Sequence, residues 1–146
     1  MNIPYPYIPK NKKILYVPIK NPFLQKASLA KKDGCFKHPT GAVVVKDGQI
    51  IGTGSNAGTK VKFCPREKKG SKTGEDYYLC KTFCKQQGHA EIMAIKNAQK
   101  NGYDTKNADL YLDGHWWCCK NCWDHIIKAG IRHIFLHKNS YQLYKK

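Results

Sequence analysis

The sequence predicts one domain of the α/β class, spanning residues 1–146, and three observations lead to this prediction. The 146 residues, 41% of them hydrophobic, suffice for one compact domain with a buried core. The tight-turn pair Asp47-Gly48 separates two β-branched apolar runs and therefore predicts a β-hairpin. Beyond the hairpin, segments with helical spacing alternate with short apolar runs, which is the order expected when helices cover a sheet.

The first half of the domain is expected to contain an arm, a helix and the hairpin. Residues 1–22 hold five of the seven prolines and predict an extended N-terminal arm over the surface. Apolar residues at three- and four-residue spacings predict an amphipathic helix over 23–32. The hairpin strands are predicted over 41–46 and 49–54, so this half supplies the first two strands of the sheet.

The second half is expected to contain a long loop followed by two helix–strand pairs. Residues 57–88 are rich in Lys, Gly and Cys and show little apolar periodicity, which indicates a loop of unusual length for a small domain. Helices are predicted over 89–100 and 119–129. Each helix is followed by a predicted short strand, over 108–112 and 131–136.

The composition bounds the environment and the partners of the protein. Its formal net charge is +16, and a field of this sign attracts the phosphates of a nucleotide or of a nucleic acid. The charge does not separate these two partners, and a lysine-rich solvated surface is a third interpretation. The sequence shows no long apolar run and no secretory leader, so we expect a cytoplasmic protein without a membrane partner. Seven cysteines, an odd number, favour metal binding over a disulfide framework.

Two short motifs supply the residues of a predicted metal centre. His89 and Glu91 form a His-x-Glu motif at one predicted helix start, and Cys119 and Cys122 form a Cys-x-x-Cys motif at the next. Helix N-termini carry unpaired N–H groups and a partial positive charge, which favours the thiolate forms of the two cysteines. One imidazole and two thiolates can hold zinc on three sides and leave the fourth position for water, as in catalytic sites. We therefore expect one catalytic zinc bound by His89, Cys119 and Cys122.

Glu91 lies two residues after the predicted histidine ligand and is expected to act on protons instead of on the metal. Because zinc lowers the pKa of bound water toward about 7, a nearby carboxylate can take the proton of that water and pass it on. Each motif alone is a weak signal, and the Cys-x-x-Cys motif alone could be half of a structural zinc site. The two motifs together, on two helix starts after a hairpin, indicate a catalytic centre.

In these motifs the chain resembles the cytidine and deoxycytidylate deaminase superfamily, over about residues 23–136. Residues 41–52 resemble the first hairpin of that family, and the segment 89–91 resembles its zinc and proton-shuttle motif. The resemblance implies a three-layer α-β-α fold of the cytidine-deaminase type, with a central mixed five-stranded sheet, and assembly into homo-oligomers. It also implies hydrolytic deamination of a base, in which Glu91 protonates the ring nitrogen and the departing ammonia.

The same resemblance implies two contacts to the substrate and reveals departures near them. Asn56 matches the position whose side chain contacts the substrate base or sugar, and the N–H of Ala90 would donate to the pyrimidine carbonyl. Asn56 could also be a turn asparagine. Cys118 stands where the family usually has proline, and the aromatic segment 114–118 makes this region two residues longer than usual. The aromatic residues of this segment could stack on a base or belong to the core.

Four further cysteines could form a second, structural zinc site. Cys35, Cys64, Cys80 and Cys84 would complete a closed set of four thiolates, and such a site would order the long loop. His38 is a substitute ligand. The alternative is that these cysteines are buried as small apolar residues.

Three functions remain open on the basis of the sequence. The first is a zinc-dependent hydrolytic deaminase that converts a cytosine nucleotide of the dCMP type to the uracil form and releases ammonia. The second is a deaminase acting on a base within tRNA or single-stranded DNA, which the net charge favours. The third is a non-enzymatic, zinc-stabilised nucleic-acid-binding module, in which cysteines such as Cys80, Cys84, Cys119 and Cys122 share one metal. This third function leaves Glu91 without a role.

Overall fold

A computed structural model describes residues 3–35, 38–57, 65–72, 74–82 and 88–145 of the protein. The strands are β1 (Ile14–Val17), β2 (Gly41–Lys46), β3 (Gln49–Ser55), β4 (Asp109–Asp113) and β5 (His133–His137). The helices are α1 (Pro22–Ala30), α2 (Pro65–Lys69), α3 (Tyr78–Thr82), α4 (Ala90–Lys100), α5 (Lys120–Lys128) and α6 (Ser140–Tyr144). A short 3-10 turn, Lys31–Asp33, follows α1. Among these residues, no helix is long and apolar enough to cross a membrane.

The five strands form one mixed sheet in the order β1-β5-β4-β2-β3. The strands β1, β5 and β4 run parallel, whereas β2 is antiparallel to both of its neighbours, β4 and β3. This confirms the predicted mixed five-stranded sheet. The edge strand β1 comes from the proline-rich arm and pairs Ile14 with Ile134, a pairing that the sequence did not indicate.

Helices cover both faces of the sheet, which confirms the predicted three layers. On one face, Leu24 and Ala27 of α1 pack with Val43, Val45 and Tyr111 of the sheet. On the other face, the buried apolar residues of α4 and α5 pack with the sheet into the larger part of the core.

Helix α4 approaches β3 closely because two glycines of that strand present bare backbone. A Cβ atom added at Gly52 would lie 2.4 Å from the carbonyl oxygen of Ala94, and one added at Gly54 would lie 2.2 Å from the Ala94 nitrogen. Real Cβ atoms essentially never come within 3.0 Å of such atoms. Any larger residue at either glycine would therefore push α4, and the residues at its start, away from the sheet.

The boundaries of the predicted elements agree with the structure to within two residues. Two other predictions differ from the structure: the absence of helices in the long loop, and the apolar side of α5. The long loop predicted over 57–88 contains the short helices α2 and α3 in its described part. The helical spacing of α5 predicted one apolar side formed by Trp123, Ile126 and Ile127. Trp123 and Ile126 are buried, but Ile127 is 44% exposed, so this prediction is wrong for Ile127. Successive helical residues point about 100° apart, and the buried stripe of α5 is too narrow to include Ile127 beside Ile126.

Candidate active site

The two motifs meet because the helices that follow them start side by side. His89 is the N-cap residue of α4, and Cys119 is the N-cap residue of α5. Both residues have extended backbone conformation, which turns their side chains away from the helix axis toward the same space. The Sγ atom of Cys119 accepts a hydrogen bond from the backbone N–H of Cys122 at 3.4 Å, so it occupies the place of a capping side chain.

The three predicted ligand atoms form a compact triangle. The Nδ1 atom of His89 lies 3.2 Å from Sγ of Cys122 and 3.4 Å from Sγ of Cys119, and the two sulfur atoms are 3.3 Å apart. Among the described residues, these three form the one group of His, Cys, Asp or Glu side chains placed to share a metal ion. A nitrogen and two sulfur donors fit zinc, and three protein ligands leave a fourth position open.

Hydrogen bonding and burial set the charges of this triangle. The hydrogen bond from Cys122 and the neighbouring His89 together outweigh burial and lower the pKa of Cys119 to about 4, so Cys119 is a thiolate at neutral pH. The same thiolate, together with burial, raises the pKa of Cys122 well above its ordinary value. Burial lowers the pKa of His89, but the hydrogen bond to Cys119 and the charge of Glu91 outweigh it and raise the pKa overall. A zinc ion here would replace the protons on His89 and Cys122.

Glu91 lies in the first turn of α4 with only 4% of its surface exposed. Burial raises the pKa of its carboxyl group, although the nearby His89 opposes this effect. A carboxyl group with a raised pKa holds a proton more readily, which suits a proton shuttle. Glu91 also lines the cavity described next.

Two residues of the triangle, His89 and Cys119, lie on the wall of a cavity of about 260 Å³. This is roughly twenty times the volume that one water molecule needs in the same measure. The rest of the wall comes from the segment after α1, from α2 and the residues that follow it, from the segment before α5, and from α6. Most of the cavity wall therefore comes from segments in which the sequence predicts neither a helix nor a strand.

Asn56 and Ala90, the two predicted substrate contacts, both line this cavity. The side chain of Asn56 also holds the neighbouring loop. Its Oδ1 atom accepts hydrogen bonds from the N–H groups of Cys35 and Thr40, both at 2.9 Å, and its Nδ2 atom donates to the carbonyl of His38 at 2.8 Å. Asn56 therefore shapes the cavity wall, whether or not it also touches a substrate.

The aromatic residues of the unusual segment before Cys119 have two locations: some line the cavity and one is buried away from it. His115 and Trp117 line the cavity, whereas Trp116 is buried and packs against Tyr5 and Tyr141. The indole N–H of Trp117 donates to the carbonyl of Tyr7 at 3.0 Å, so the N-terminal arm braces this wall.

Two cavity residues, Arg66 and Tyr77, were not predicted from the sequence. The ring edge of Tyr77 contacts the His89 ring, with the centroids 4.9 Å apart and the planes at 85°. Burial raises the pKa of Tyr77 to about 12, so its hydroxyl stays protonated. The guanidinium carbon of Arg66 lies 4.4 Å from the centroid of the Tyr77 ring. No local pattern in the loop 57–88 could have marked either residue.

At the far end of the cavity, an ion pair fixes the C-terminal helix. The Nζ atom of Lys31 lies 3.1 Å from Oδ2 of Asp113, and the hydroxyl of Tyr144 donates to Oδ1 of Asp113 at 3.3 Å. Burial lowers the pKa of Lys31, but its contacts with Asp113 outweigh that effect and raise the pKa. Lys31 and Tyr144 both line the cavity, so α6 contributes to its wall.

Two of the four cysteines predicted to bind a second zinc, Cys64 and Cys84, lie outside the described residues. The other two, Cys35 and Cys80, both line the cavity. Cys118, next to a predicted ligand, is fully buried in the core, and burial raises its pKa well above the ordinary value.

The fold and the site together define an α/β protein with a cluster of one histidine and two cysteines that could hold a metal ion. Residues 19–138 match the family described as the cytidine and deoxycytidylate deaminase zinc-binding region. This match covers more than half of the chain, and the protein therefore belongs to that family.

Three known proteins illustrate the similarity. The deoxycytidylate deaminase of Schizosaccharomyces pombe is 31% identical over 123 residues, which cover 79% of this chain and 35% of that protein. The riboflavin biosynthesis protein RibD of Aquifex aeolicus is 33% identical over 114 residues, which cover 73% of this chain and 24% of that protein. The dCMP deaminase of cyanophage S-TIM5, solved with dCMP and dUMP, shares the fold with a TM-score of 0.55 at 23% identity, covering 83% of this chain and 84% of that one. The chain thus spans about a third and a quarter of the lengths of the two sequence relatives.

Proposed function

We propose that the protein is a zinc-dependent hydrolytic deaminase that acts on a cytosine nucleotide of the dCMP type. Water adds across the C4–N3 bond of the base, the C4–N4 bond then breaks, the amino group leaves as ammonia and the base becomes uracil. The observation that carries the proposal is the buried carboxyl group of Glu91 beside the His89, Cys119 and Cys122 triangle in one cavity. A metal centre with a structural role alone would not need this carboxyl group.

The residues of the triangle would hold the zinc, because their donor atoms suit that ion. Zinc bound there would supply a Lewis acid that makes water acidic near neutral pH. Glu91 takes the proton from the attacking water and gives it to the ring nitrogen N3 of the base. Glu91 then takes the proton of the hydroxyl group now attached to C4 and gives it to the leaving amino group, so that the C4 carbonyl forms, ammonia departs and Glu91 ends the cycle as a carboxylate.

The start of α4 also supplies an orienting group for the base. The backbone N–H of Ala90 lies in the first turn, where N–H groups have no partner within the helix. It would donate to the carbonyl oxygen of the pyrimidine, and the buried wall around it would exclude bulk water. Asn56 would add a contact to the base or sugar from the opposite loop.

The support for a dCMP-type substrate is the similarity to proteins named deoxycytidylate deaminase. The similarity to RibD is of the same order, so a different aminated heterocycle is the nearest competitor. A base within tRNA or single-stranded DNA is a second candidate. The net charge of +16 favours this nucleic-acid substrate. So do the exposed Lys68, Lys69 and Lys72, which lie close in the chain to the cavity residue Arg66. The non-enzymatic binding module is the weakest candidate, because His89, and not a further cysteine, completes the triangle among the described residues.

A second, structural zinc bound by Cys35, Cys64, Cys80 and Cys84 is part of the proposal. Its support is that Cys35 and Cys80 come to one cavity from distant parts of the chain. Metal analysis of the purified protein tests it. Two zinc ions per chain, reduced to one in Cys80→Ala, are expected, and one ion per chain in the wild type would exclude the second site.

Ammonia release tests the activity. The assay compares wild type, Glu91→Gln and the control Asp124→Asn on dCMP, cytidine, cytosine, guanine, adenosine, tRNA and single-stranded DNA. Asp124 is an exposed acid on α5, paired with Lys120. We expect release from dCMP, loss of at least about 1000-fold in Glu91→Gln, and wild-type rates in the control. Undiminished activity of Glu91→Gln would contradict the proposed mechanism, and a wild type silent on the whole panel would contradict the enzyme.

A further inference from the structure

Tyr77 enters the active site from the loop before α3, a segment with no regular pattern in the sequence. Its ring lies edge-on against the ring of His89, one of the three metal-binding residues. Its side chain also lines the cavity. The aromatic ring and the hydroxyl group can therefore have separate roles: the ring packs against His89, and the hydroxyl belongs to a residue of the cavity wall.

The hydrogen bonds around the Tyr77 hydroxyl use its oxygen atom and not its proton. The backbone N–H of Gly74 donates to this oxygen at 3.2 Å. On the other side, the Nδ1 atom of His115 accepts a hydrogen bond from the backbone N–H of Trp117 at 3.1 Å. In a neutral imidazole the proton is then on Nε2, which lies 3.4 Å from the Tyr77 oxygen and donates to it.

Two donors on one phenolic oxygen leave its own O–H without an acceptor among the described residues. The contacts from Tyr77 to His115 and from His115 to Trp117 are further stabilised, because the Trp117 indole donates a hydrogen bond to the carbonyl of Tyr7 in the N-terminal arm. The hydroxyl is thus a positioned donor beside the metal-binding residues, in a cavity.

Arg66 places a positive charge next to Tyr77, which favours binding of an electron-rich group near the Tyr77 hydroxyl. Its guanidinium stacks over the Tyr77 ring at 4.4 Å. Its Nε and Nη2 atoms donate to the carbonyls of Glu75 at 2.8 Å and of Lys72 at 3.0 Å, which fixes the positive charge at the cavity wall. A fixed cation next to a hydroxyl donor stabilises an oxygen acceptor on a bound molecule.

We infer that the Tyr77 hydroxyl is a specificity-determining donor that binds an oxygen acceptor of the substrate, while its ring positions His89. The inference rests on the proposed deamination at the same site. The acceptor oxygen belongs either to the base and sugar or to the phosphate of a nucleotide. Both sources present the same chemistry to the hydroxyl, and substrates that lack one part at a time distinguish them.

The test compares Tyr77→Phe with the matched control Tyr78→Phe. Tyr78 is the next residue in the chain and is 59% exposed. Kinetics on dCMP, deoxycytidine and cytosine are measured together with the zinc content of each protein. For Tyr77→Phe we expect KM to rise about tenfold with kcat within about twofold and with unchanged zinc content. A rise for dCMP alone identifies the phosphate as the acceptor, and a rise for deoxycytidine as well identifies the base or sugar.

Other outcomes overturn the inference. A purely structural tyrosine would give wild-type kinetics in Tyr77→Phe, since the ring is kept, or a joint loss of zinc and kcat. Binding of dCMP, measured by calorimetry on Glu91→Gln with and without Tyr77→Phe, separates this inference from the proposed function. If the wild type releases no ammonia, the proposed function fails. Even then, the inference requires that the double variant bind dCMP about tenfold more weakly than Glu91→Gln alone. Equal binding of dCMP by these two proteins overturns the inference.

Discussion

Replacement of Gly54 by alanine should damage the active site from a distance, through helix α4. The added Cβ would lie 2.2 Å from the nitrogen of Ala94 and 2.8 Å from the carbonyl oxygen of Ala90. To restore ordinary contact, α4 must move away from β3 by about 1 Å, and overpacking of this kind costs about 3 kcal/mol of unfolding free energy. Because Ala90 belongs to the first turn of α4, His89 and Glu91 must move with it. A displacement of about 1 Å at reacting groups lowers kcat by roughly 100-fold.

Two measurements on purified Gly54→Ala check this reasoning: denaturant unfolding and ammonia release. Thr53→Ala is the matched control, because Thr53 is the preceding residue of β3 and its side chain is exposed. The control should keep wild-type activity and lose no more than about 0.5 kcal/mol. If Gly54→Ala unfolds at the wild-type denaturant concentration and deaminates at the wild-type rate, α4 does not rest on the bare backbone of β3 and does not transmit a displacement to His89 and Glu91.

Two further predictions concern the proposed metal-binding triangle and its neighbours. Cys119→Ala should lose the catalytic zinc. Cys118→Ala should keep the zinc and lose about 1 kcal/mol of unfolding free energy, because Cys118 is buried in the core. Equal zinc contents in the two variants would contradict the assignment of Cys119 as a ligand. Asn56→Ala should lower the unfolding free energy by about 3 kcal/mol without any ligand, because it leaves the N–H groups of Cys35 and Thr40 without their acceptor. Thermal unfolding measures this loss, and an unchanged midpoint would show that Asn56 does not hold the loop.

The three residues proposed to hold the metal could be singled out from the sequence because each half of the triangle is a local pattern. His89 and Cys119 are both N-cap residues, and the signals of a helix start are carried by neighbouring residues in the chain. The spacing of Cys119 and Cys122 within one turn then brings their sulfur atoms together. The hairpin of β2 and β3 was predictable for the same reason, since Asp47-Gly48 fixes the turn.

The remaining cavity wall could not be predicted, because its residues come together through contacts between distant segments. Tyr77 meets His89, and Trp117 is held by Tyr7, without any periodic pattern that marks these residues. The strand β1 is a similar case, since a short proline-flanked segment becomes a strand only when β5 offers a free edge.

The sequence by itself determined the class of fold and the family, and it singled out the three residues that come together as a possible metal-binding group. These follow from hydrophobic periodicity, turn chemistry and helix starts, which act over a few residues. The tertiary structure decided what surrounds the metal centre: the bare strand under α4, the phenol of Tyr77 against His89, and the arm that supports Trp117. These contacts depend on the packing of segments that are far apart in the chain, and such packing leaves no local signature.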